Sequence, residues 1–390
     1  MRPTVIATAA RVAIVSDAIY PYNKGGKEVR YYEISRRLAA SGVHVDVYTM
    51  HWWESAQRSI EVDGVHFHAI CKNYPLYSGT RRSIKQALLF SIACLRLISR
   101  RFDVIEADHM PYLPLFALRL VATVKNRQLV VTWHEVWGRD YWMQYLGAAG
   151  RIASFIERLA MRLPNLIVAD VDETANRLRA CGVSDARVVV VPIGIDTDAI
   201  SAVPRTQRDF DVVCVGRLLE HKRVDVLMTA LAHQRSLGTR LTCAIVGEGP
   251  EFEALARQTR DLGIEDQVSF YGRVESHHDV WSLIKSSAVL ALPSVREGFG
   301  IVVLEAIAAG TAVVTSNHVD NQARSLVREG VTGLICECEP VAFGEALASL
   351  VREPLSILDV RDAELRTFDW NEIMISLRDI YFHQSGIAAA

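Results

Sequence analysis

The chain has 390 residues, half of them apolar, with 43 lysines and arginines against 45 aspartates and glutamates and a formal net charge of −2. That length exceeds one ordinary hydrophobic core, so two domains are expected, and the near-neutral balance excludes a global basic field for nucleic acid. Seven scattered cysteines without a C-x-x-C, of which only Cys336 and Cys338 are close, predict reduced thiols in a cytosolic protein with neither zinc nor disulfides.

The N-terminal "MRPTVIATAARVAIVSD" lacks the h-region of a signal peptide, and no apolar run reaches the length of a membrane-spanning helix. Short β-branched runs then recur between helical patterns. They are "VAIVSD" (12–17), "VHVDVYT" (43–49), "VHFHAI" (65–70), "DVIEAD" (103–108), "LVVTWH" (129–134), "NLIVAD" (165–170) and "RVVVVP" (187–192). In the second half they are "DVVCVG" (211–216), "TCAIVG" (242–247), "VSFYG" (268–272), "AVLALPS" (288–294), "TAVVTS" (311–316) and "GLICE" (333–337). Alternation of this kind predicts parallel sheets covered on both faces. The strands are too many for one sheet, so two doubly wound domains are expected, with ligands at the carboxyl ends of strands. The polar segment 193–211 reads as the linker.

After the first run, Gly25 and Gly26 precede a helical pattern, which allows close approach of an anionic ligand. The stretch 81–101, "RRSIKQALLFSIACLRLISRR", reads as one helix. At the α-helical turn per residue, Arg81, Arg82, Lys85, Arg96 and Arg100 fall within about 100° of one another. This stripe is either the solvated edge of a packed helix or a contact for an anionic membrane. "DVIEAD" ends at Asp108 with His109 next, at the carboxyl end of an expected strand. His134 and Glu135 close the following run, where they can meet an acceptor. The nearby Trp133, Trp137, Tyr141 and Trp142 are either sugar-stacking platforms or packing.

In "VGRLLEHKRVDVLMTAL" (215–231), Arg217 and Lys222 stand in the loop between strand and helix, where two cations suit a diphosphate and its departure as a leaving group. His277 and His278 diverge as neighbours and have no third ligand close by, so no metal is expected. In "PSVREGFGIVVLEAIAAG" (293–310), Glu297 lies in a glycine-rich loop and Glu305 inside an apolar helix pattern. A buried carboxylate is costly without a partner. Helical side chains tilt toward the N-terminus, so Glu305 can point at the same ligand as the loop. Carboxylates accept hydrogen bonds from sugar hydroxyls.

The second half, through "VGRLLEHK", "AIVGEGPEFEAL", "VSFYGRV", "PSVREGFGIVVLEAIAAGTAVVTS" and "LVREGVTGLIC", resembles the retaining nucleotide-sugar glycosyltransferases of family 4. The E-x7-E spacing of Glu297 and Glu305 is the most specific mark. The resemblance implies the GT-B fold: two Rossmann-like domains facing a central cleft. An acceptor-binding domain would span 1–195 and a nucleotide-sugar-binding domain 196–367. A final helix, 368–390, would cross back, anchored by Trp370 and Tyr381. It further implies that Glu297 faces the donor sugar, Glu305 binds the ribose, and Arg217 and Lys222 bind the diphosphate. Backbone amides of Gly298, Phe299, Gly300 and Ile301 would touch phosphate or sugar, and Arg273 would lie near the base. Gly25 and Gly26 would face the donor diphosphate, with Lys27 in place of a more usual small or apolar residue. His109, or Asp108 beside it, would lie near the reacting sugar.

The expectation is a retaining, metal-independent hexosyltransferase with no cofactor beyond its nucleotide-sugar co-substrate. It would act on a glycan, lipid-linked or small-molecule acceptor, in the cytoplasm or at the inner face of a membrane. The rival readings are a GT-B-type nucleotide-sugar epimerase or hydrolase and a non-catalytic nucleotide-sugar-binding subunit.

Overall fold

A computed structural model describes residues 10–23, 25–78, 81–204 and 209–383. The chain divides into two compact units, Met1–Ile193 with Asn371–Ala390, and Gly194–Trp370.

The first unit holds β1 (Arg11–Val15), β2 (His44–Met50), β3 (Ser59–Val62), β4 (Val65–Cys71), a small ribbon of β5 (Tyr77–Ser78) and β6 (Arg81–Arg82), β7 (Val104–Asp108), β8 (Gln128–Trp133), β9 (Leu166–Ala169) and β10 (Val188–Val190). Its main sheet runs β10-β9-β8-β7-β1-β2-β4-β3. All pairs are parallel except β3 with β4. Central strands such as β1 and β7 are buried, as expected where helices cover both faces. The helices are α1 (Gly26–Ala40), α2 (Ile84–Cys94), α3 (Leu113–Lys125), α4 (Gly138–Leu146), α5 (Gly150–Ala160) and α6 (Asp172–Ala180). α2 packs along α3, and α3 touches α5.

Two features depart from the sequence reading. β3 was not anticipated, although Asp63 and Gly64, with φ of 53° and 74°, make the two-residue turn that joins it to β4. The helix expected over 81–101 is shorter. Arg81 and Arg82 pair with β5, Ser83 caps α2 by accepting from the Gln86 amide at 3.2 Å, and a 3₁₀ segment, Leu95–Ser99, follows α2. An N-cap serine satisfies an otherwise orphaned N–H, which starts the helix at Ile84. Arg96 is not free on the surface, because it donates to the Ile70 carbonyl.

The second unit holds β11 (Phe210–Val215), β12 (Cys243–Val246), β13 (Val268–Gly272), β14 (Ser287–Leu292), β15 (Ala312–Ser316) and β16 (Gly333–Cys336), all parallel in the order β13-β12-β11-β14-β15-β16. Its helices are α7 (Thr197–Ala202), α8 (Val224–Ser236), α9 (Phe252–Asp261), α10 (His277–Lys285), α11 (Ile301–Ala309), α12 (Pro340–Arg352) and α13 (Ile357–Leu365), and α14 (Trp370–Arg378) then carries the chain back to the first unit.

The segment 193–211 is more than a linker, for it contains α7; residues 205–208 lie outside the described residues. Asp196 caps α7, and Lys285 donates to the carbonyls of Ile200, Ser201 and Val203 at its C-terminal end. Trp370 is buried against Gly194, and Tyr381 is buried beside Glu106 within the first unit. Among the described residues no helix is long and apolar enough to cross a membrane.

Candidate active site

In each sheet the strand order reverses once, between β7 and β1 in the first unit and between β11 and β14 in the second. Helices leave opposite faces at such a point, and a crevice opens at the carboxyl ends of the two strands. Most residues singled out from the sequence gather at these two places.

In the first unit Asp17 follows β1 and Asp108 ends β7. Lys27, in the first turn of α1, reaches both: its Nζ is 2.5 Å from Asp108 Oδ2 and 3.2 Å from Asp17 Oδ1, and it also donates to the Met110 carbonyl. Asp17 is bonded to Gln86 Nε2 at 3.2 Å and lies 3.5 Å from Arg82. Arg82 therefore serves this cluster. Asp108 Oδ1 accepts from His109 Nδ1 at 3.1 Å and lies 3.8 Å from His134 Nε2, while His134 Nδ1 bonds Asp170 at 2.8 Å. His109 is buried with its ring stacked on Trp133, and its Nε2 has no protein partner. Glu135 is half-buried in the loop that begins with His134.

The charges offset one another. Burial pushes the Asp108 carboxyl up, but the Lys27 ammonium and the His109 hydrogen bond outweigh it and hold it well below the usual range. Burial would lower Lys27, yet Asp108 and Asp17 raise it. Burial would also lower His134; the bond and charge of Asp170 raise it instead, favouring imidazolium. Burial raises Glu28 against the opposing pull of Lys27.

Gly25 and Gly26 play different parts. A Cβ on Gly25 would lie 2.3 Å from Glu28 Oε2, so Gly25 makes room for the chain's own carboxylate. A Cβ on Gly26 would meet nothing within 4 Å, which leaves its approach open. Beneath this layer, fully buried Arg30 donates to Thr132, and Thr132 and Tyr31 donate to Glu106. Trp133 and Trp142 are core residues, and Trp142 donates to Glu157 at 3.0 Å, so both belong to packing.

In the second unit Arg217 and Lys222 follow β11. A Cβ on Gly247 would fall 1.9 Å from the Gly216 carbonyl oxygen, and one on Gly249 2.2 Å from that of Leu218. These glycines let the loop after β12 press against the loop that carries Arg217, which is itself exposed. The Val295 amide donates to the His221 carbonyl at 2.9 Å, tying the loop after β14 to the Lys222 turn across the switch point. Lys222 Nζ then donates to Glu297 Oε1, which also accepts from Ser294 Oγ at 2.8 Å. The backbone of Glu297 is clamped as well, its amide to Asp320 and its carbonyl to Gln322, each at 3.0 Å.

Gly298, Phe299 and Gly300 lead into α11, whose first residue is Ile301. Gly300 has φ 84°, and a Cβ there would lie 2.4 Å from that of Ala323, so only glycine fits this N-cap. The Val303 amide already donates to the Gly300 carbonyl at 2.9 Å, and the amides before it at the start of α11 suit an anion. Phe299 is buried against Phe368, which leaves its backbone rather than its ring available. Glu305 lies one turn into α11 and accepts from Trp281 Nε1, on α10, at 2.9 Å. Burial raises the Glu305 carboxyl, and the Trp281 bond and His277 only partly offset this.

Arg273 stands apart, following the edge strand β13 and paired with Glu275 at 2.9 Å and Glu248 at 3.6 Å. Among the described residues no group of three histidine, cysteine, aspartate or glutamate side chains is placed to hold a metal. The sequence reading missed Asp17, Asp170, Ser294 and Trp281, and assigned Arg82 to the basic stripe of 81–101 rather than to the Asp17 cluster. The two aspartates had a signal, since each directly ends a β-branched run, as Asp108 does.

Two family models match the chain: Glycosyltransferase Family 4 over residues 24–199 and Glycosyl transferases group 1 over residues 196–364. The D-inositol 3-phosphate glycosyltransferase 1 of Catenulispora acidiphila is 28% identical over 92% of this chain and 90% of its own. A GDP-mannose-dependent alpha-(1-6)-phosphatidylinositol monomannoside mannosyltransferase of Mycobacterium tuberculosis is 32% identical over 43% of this chain and 47% of its own. Among solved structures, the sucrose-phosphate synthase of Thermosynechococcus elongatus superposes with a TM-score of 0.79 at 18% identity, over 95% of this chain and 98% of its own. Anabaena HepE in complex with UDP and glucose superposes with a TM-score of 0.72 at 19% identity, over 95% and 99%. With the two models spanning residues 24 to 364 between them, the chain belongs to the family 4 glycosyltransferases and is a nucleotide-sugar glycosyltransferase of the GT-B fold.

Proposed function

We propose that the enzyme transfers a hexose with retention of anomeric configuration and without a metal, holding its donor in the second unit. The observation that carries this reading is the Lys222–Glu297 pair at the switch point beside the N-terminus of α11. Arg217, Lys222 and the opening amides of α11, from Gly298 to Ile301, hold the diphosphate and take up its charge as it leaves. Glu297 orients the sugar, Glu305 binds the ribose, and Arg273 lies on the base side. An oxygen of the departing diphosphate accepts the proton of the attacking hydroxyl, so bond making and breaking share one face of the sugar. That the relative HepE is solved with UDP and glucose supports a nucleoside diphosphate as the leaving group.

The first unit takes the acceptor through His134 and Glu135, with Gly25 and Gly26 beside the diphosphate. His109 is the residue we assign to the sugar side; what supports this is that Asp108 fixes its Nδ1 while Nε2 has no hydrogen-bond partner among the described residues. Asp108, engaged by Lys27, acts as its orienter.

The acceptor is lipid-linked or another glycan, met at the inner face of an anionic membrane. What supports this is the surface of α2 and α3. Ile84, Leu88 and Ile92 are exposed on α2, Leu120 and Val124 on α3, and neither helix carries an acidic residue while Lys85, Arg119 and Lys125 are basic. Lys85→Glu with Ile92→Glu would abolish sedimentation with anionic vesicles.

The transfer reading is tested by thermal shift with UDP, GDP, ADP and their sugars, then by proton NMR of the product anomer formed in the presence of a chelator. Inverted product, or activity lost to the chelator and restored by a divalent cation, would refute it. Donor consumption equally fast without acceptor would favour an epimerase or hydrolase.

A further inference from the structure

The first unit contains a second electropositive feature, away from the strand ends. α4 and α5 flank a cavity of about 430 Å³ lined by Arg139, Arg151, Ser154, Phe155 and Arg158. All three arginines are exposed at its rim, and none of the three is ion-paired among the described residues.

The helix pair carries only two carboxylates, and neither neutralises them. Asp140 is exposed and does not line the cavity. Glu157 is buried and turned inward, where it accepts from Tyr112 Oη at 2.8 Å, the Trp137 amide at 2.9 Å, and the Gly138 amide and Trp142 Nε1, each at 3.0 Å. The frame is also firm. A Cβ on Gly150 would lie 2.2 Å from the Trp142 carbonyl oxygen, so the two helices meet in backbone contact at this glycine. Arginines concentrated on a rigid frame, with their natural counter-ion turned away, present forked donors to an external anion.

We propose that this cavity is a binding site for a phosphate group. Phosphate offers several oxygens to three forks at once, which a single carboxylate does not. Phe155, exposed on α5, gives the cavity an apolar wall. The phosphate belongs either to the headgroup of an anionic phospholipid or to a soluble phosphate ester. The inference stands independently of the donor site and of any membrane contact by α2 and α3.

The test uses the full chain and the variants Arg151→Gln, Arg158→Gln and the triple variant with Arg139→Gln. Arg162→Gln, outside the cavity but with the same charge change, is the control. Circular dichroism checks the fold. One arm measures calorimetric binding of glycerol 3-phosphate. The other measures sedimentation with phosphatidylcholine vesicles with and without phosphatidic acid. Each single substitution should weaken binding in at least one arm about tenfold, the loss of one charge-assisted contact, while the control stays within about twofold. Loss in the first arm identifies a soluble ester as the ligand, and loss in the second alone identifies a lipid headgroup. Binding in both arms unchanged in the triple variant, equal loss in the control, or no binding to either probe would overturn the proposal.

Discussion

Lys27 joins Asp108 at 2.5 Å and Asp17 at 3.2 Å, so one ammonium spans the carboxyl ends of β7 and β1. The second unit repeats the device, with Lys222 joined to Glu297 across β11 and β14. In both sheets a lysine in the loop or first helical turn after one central strand closes on an acid at the end of the other.

The first pairing governs stability. Lys27→Met leaves two buried carboxylates facing each other and should cost about 3–5 kcal/mol in urea unfolding at neutral pH, the usual penalty for a buried ion stripped of its partner. Because Asp108 is held well below its ordinary value, its contribution is present above the unfolded carboxylate range and is lost as pH falls through the folded value. The variant should therefore recover relative stability on acidification, and adding Asp108→Asn should restore part of the loss at neutral pH. A variant as stable as the wild type would show the ammonium to be idle in folding.

His134 and Asp170 supply a pH signature of opposite sign. The folded value of His134 is raised, so its pairing energy is complete below the unfolded value of about 6.5 and disappears as pH rises through the folded one. The stability of wild type minus that of Asp170→Asn should shrink as pH rises from about 6.5 through the folded value of His134. A difference that is constant or grows over that range would contradict the pairing.

Much of the fold was legible because buried parallel strands are continuous β-branched runs, and each expected run is a strand. β3 escaped because its four residues are mostly exposed, although Asp63-Gly64 marked the turn. The start of α2 was misplaced because Arg81 and Arg82 are good helix formers by themselves, and the capping role of Ser83 outweighs them. Glu297 and Glu305 stood out by spacing and by the cost of an acid in an apolar run. Their partners did not: Lys222 lies 75 residues from Glu297, and Trp281 lies 24 from Glu305. Strand order alone brings such pairs together, and no local pattern encodes it.

The Lys222–Glu297 bond sets up a competition. An incoming diphosphate must draw Lys222 from Glu297, so Glu297→Gln should bind nucleoside diphosphate at least as tightly as wild type while kcat falls. Lys222→Met and Arg217→Ala should each weaken the diphosphate by roughly tenfold and leave nucleoside binding unchanged. Calorimetry with the two ligands separates these outcomes. Equal losses for nucleoside and diphosphate would move both cations away from the phosphates.

Glu305 offers the most specific test, because its partner and its proton affinity act on the same group. Burial raises its carboxyl above the ordinary value, and the Trp281 hydrogen bond favours the ionised form. A carboxylate accepts ribose hydroxyls better than a carboxylic acid does. Nucleotide affinity should therefore fall as pH drops through the folded value of Glu305, with proton release on binding in that window. Trp281→Phe removes a bond to the charged form, shifts Glu305 further up, and should move the loss of affinity to higher pH. Glu305→Gln should abolish this pH dependence, and since the ribose does not react, it should raise KM more than it lowers kcat. Calorimetric titrations of the three proteins from about pH 5 to pH 8 read all of this. Identical profiles for wild type and Glu305→Gln would mean that the carboxylate inside "IVVLEAIAAG" serves only to hold Trp281.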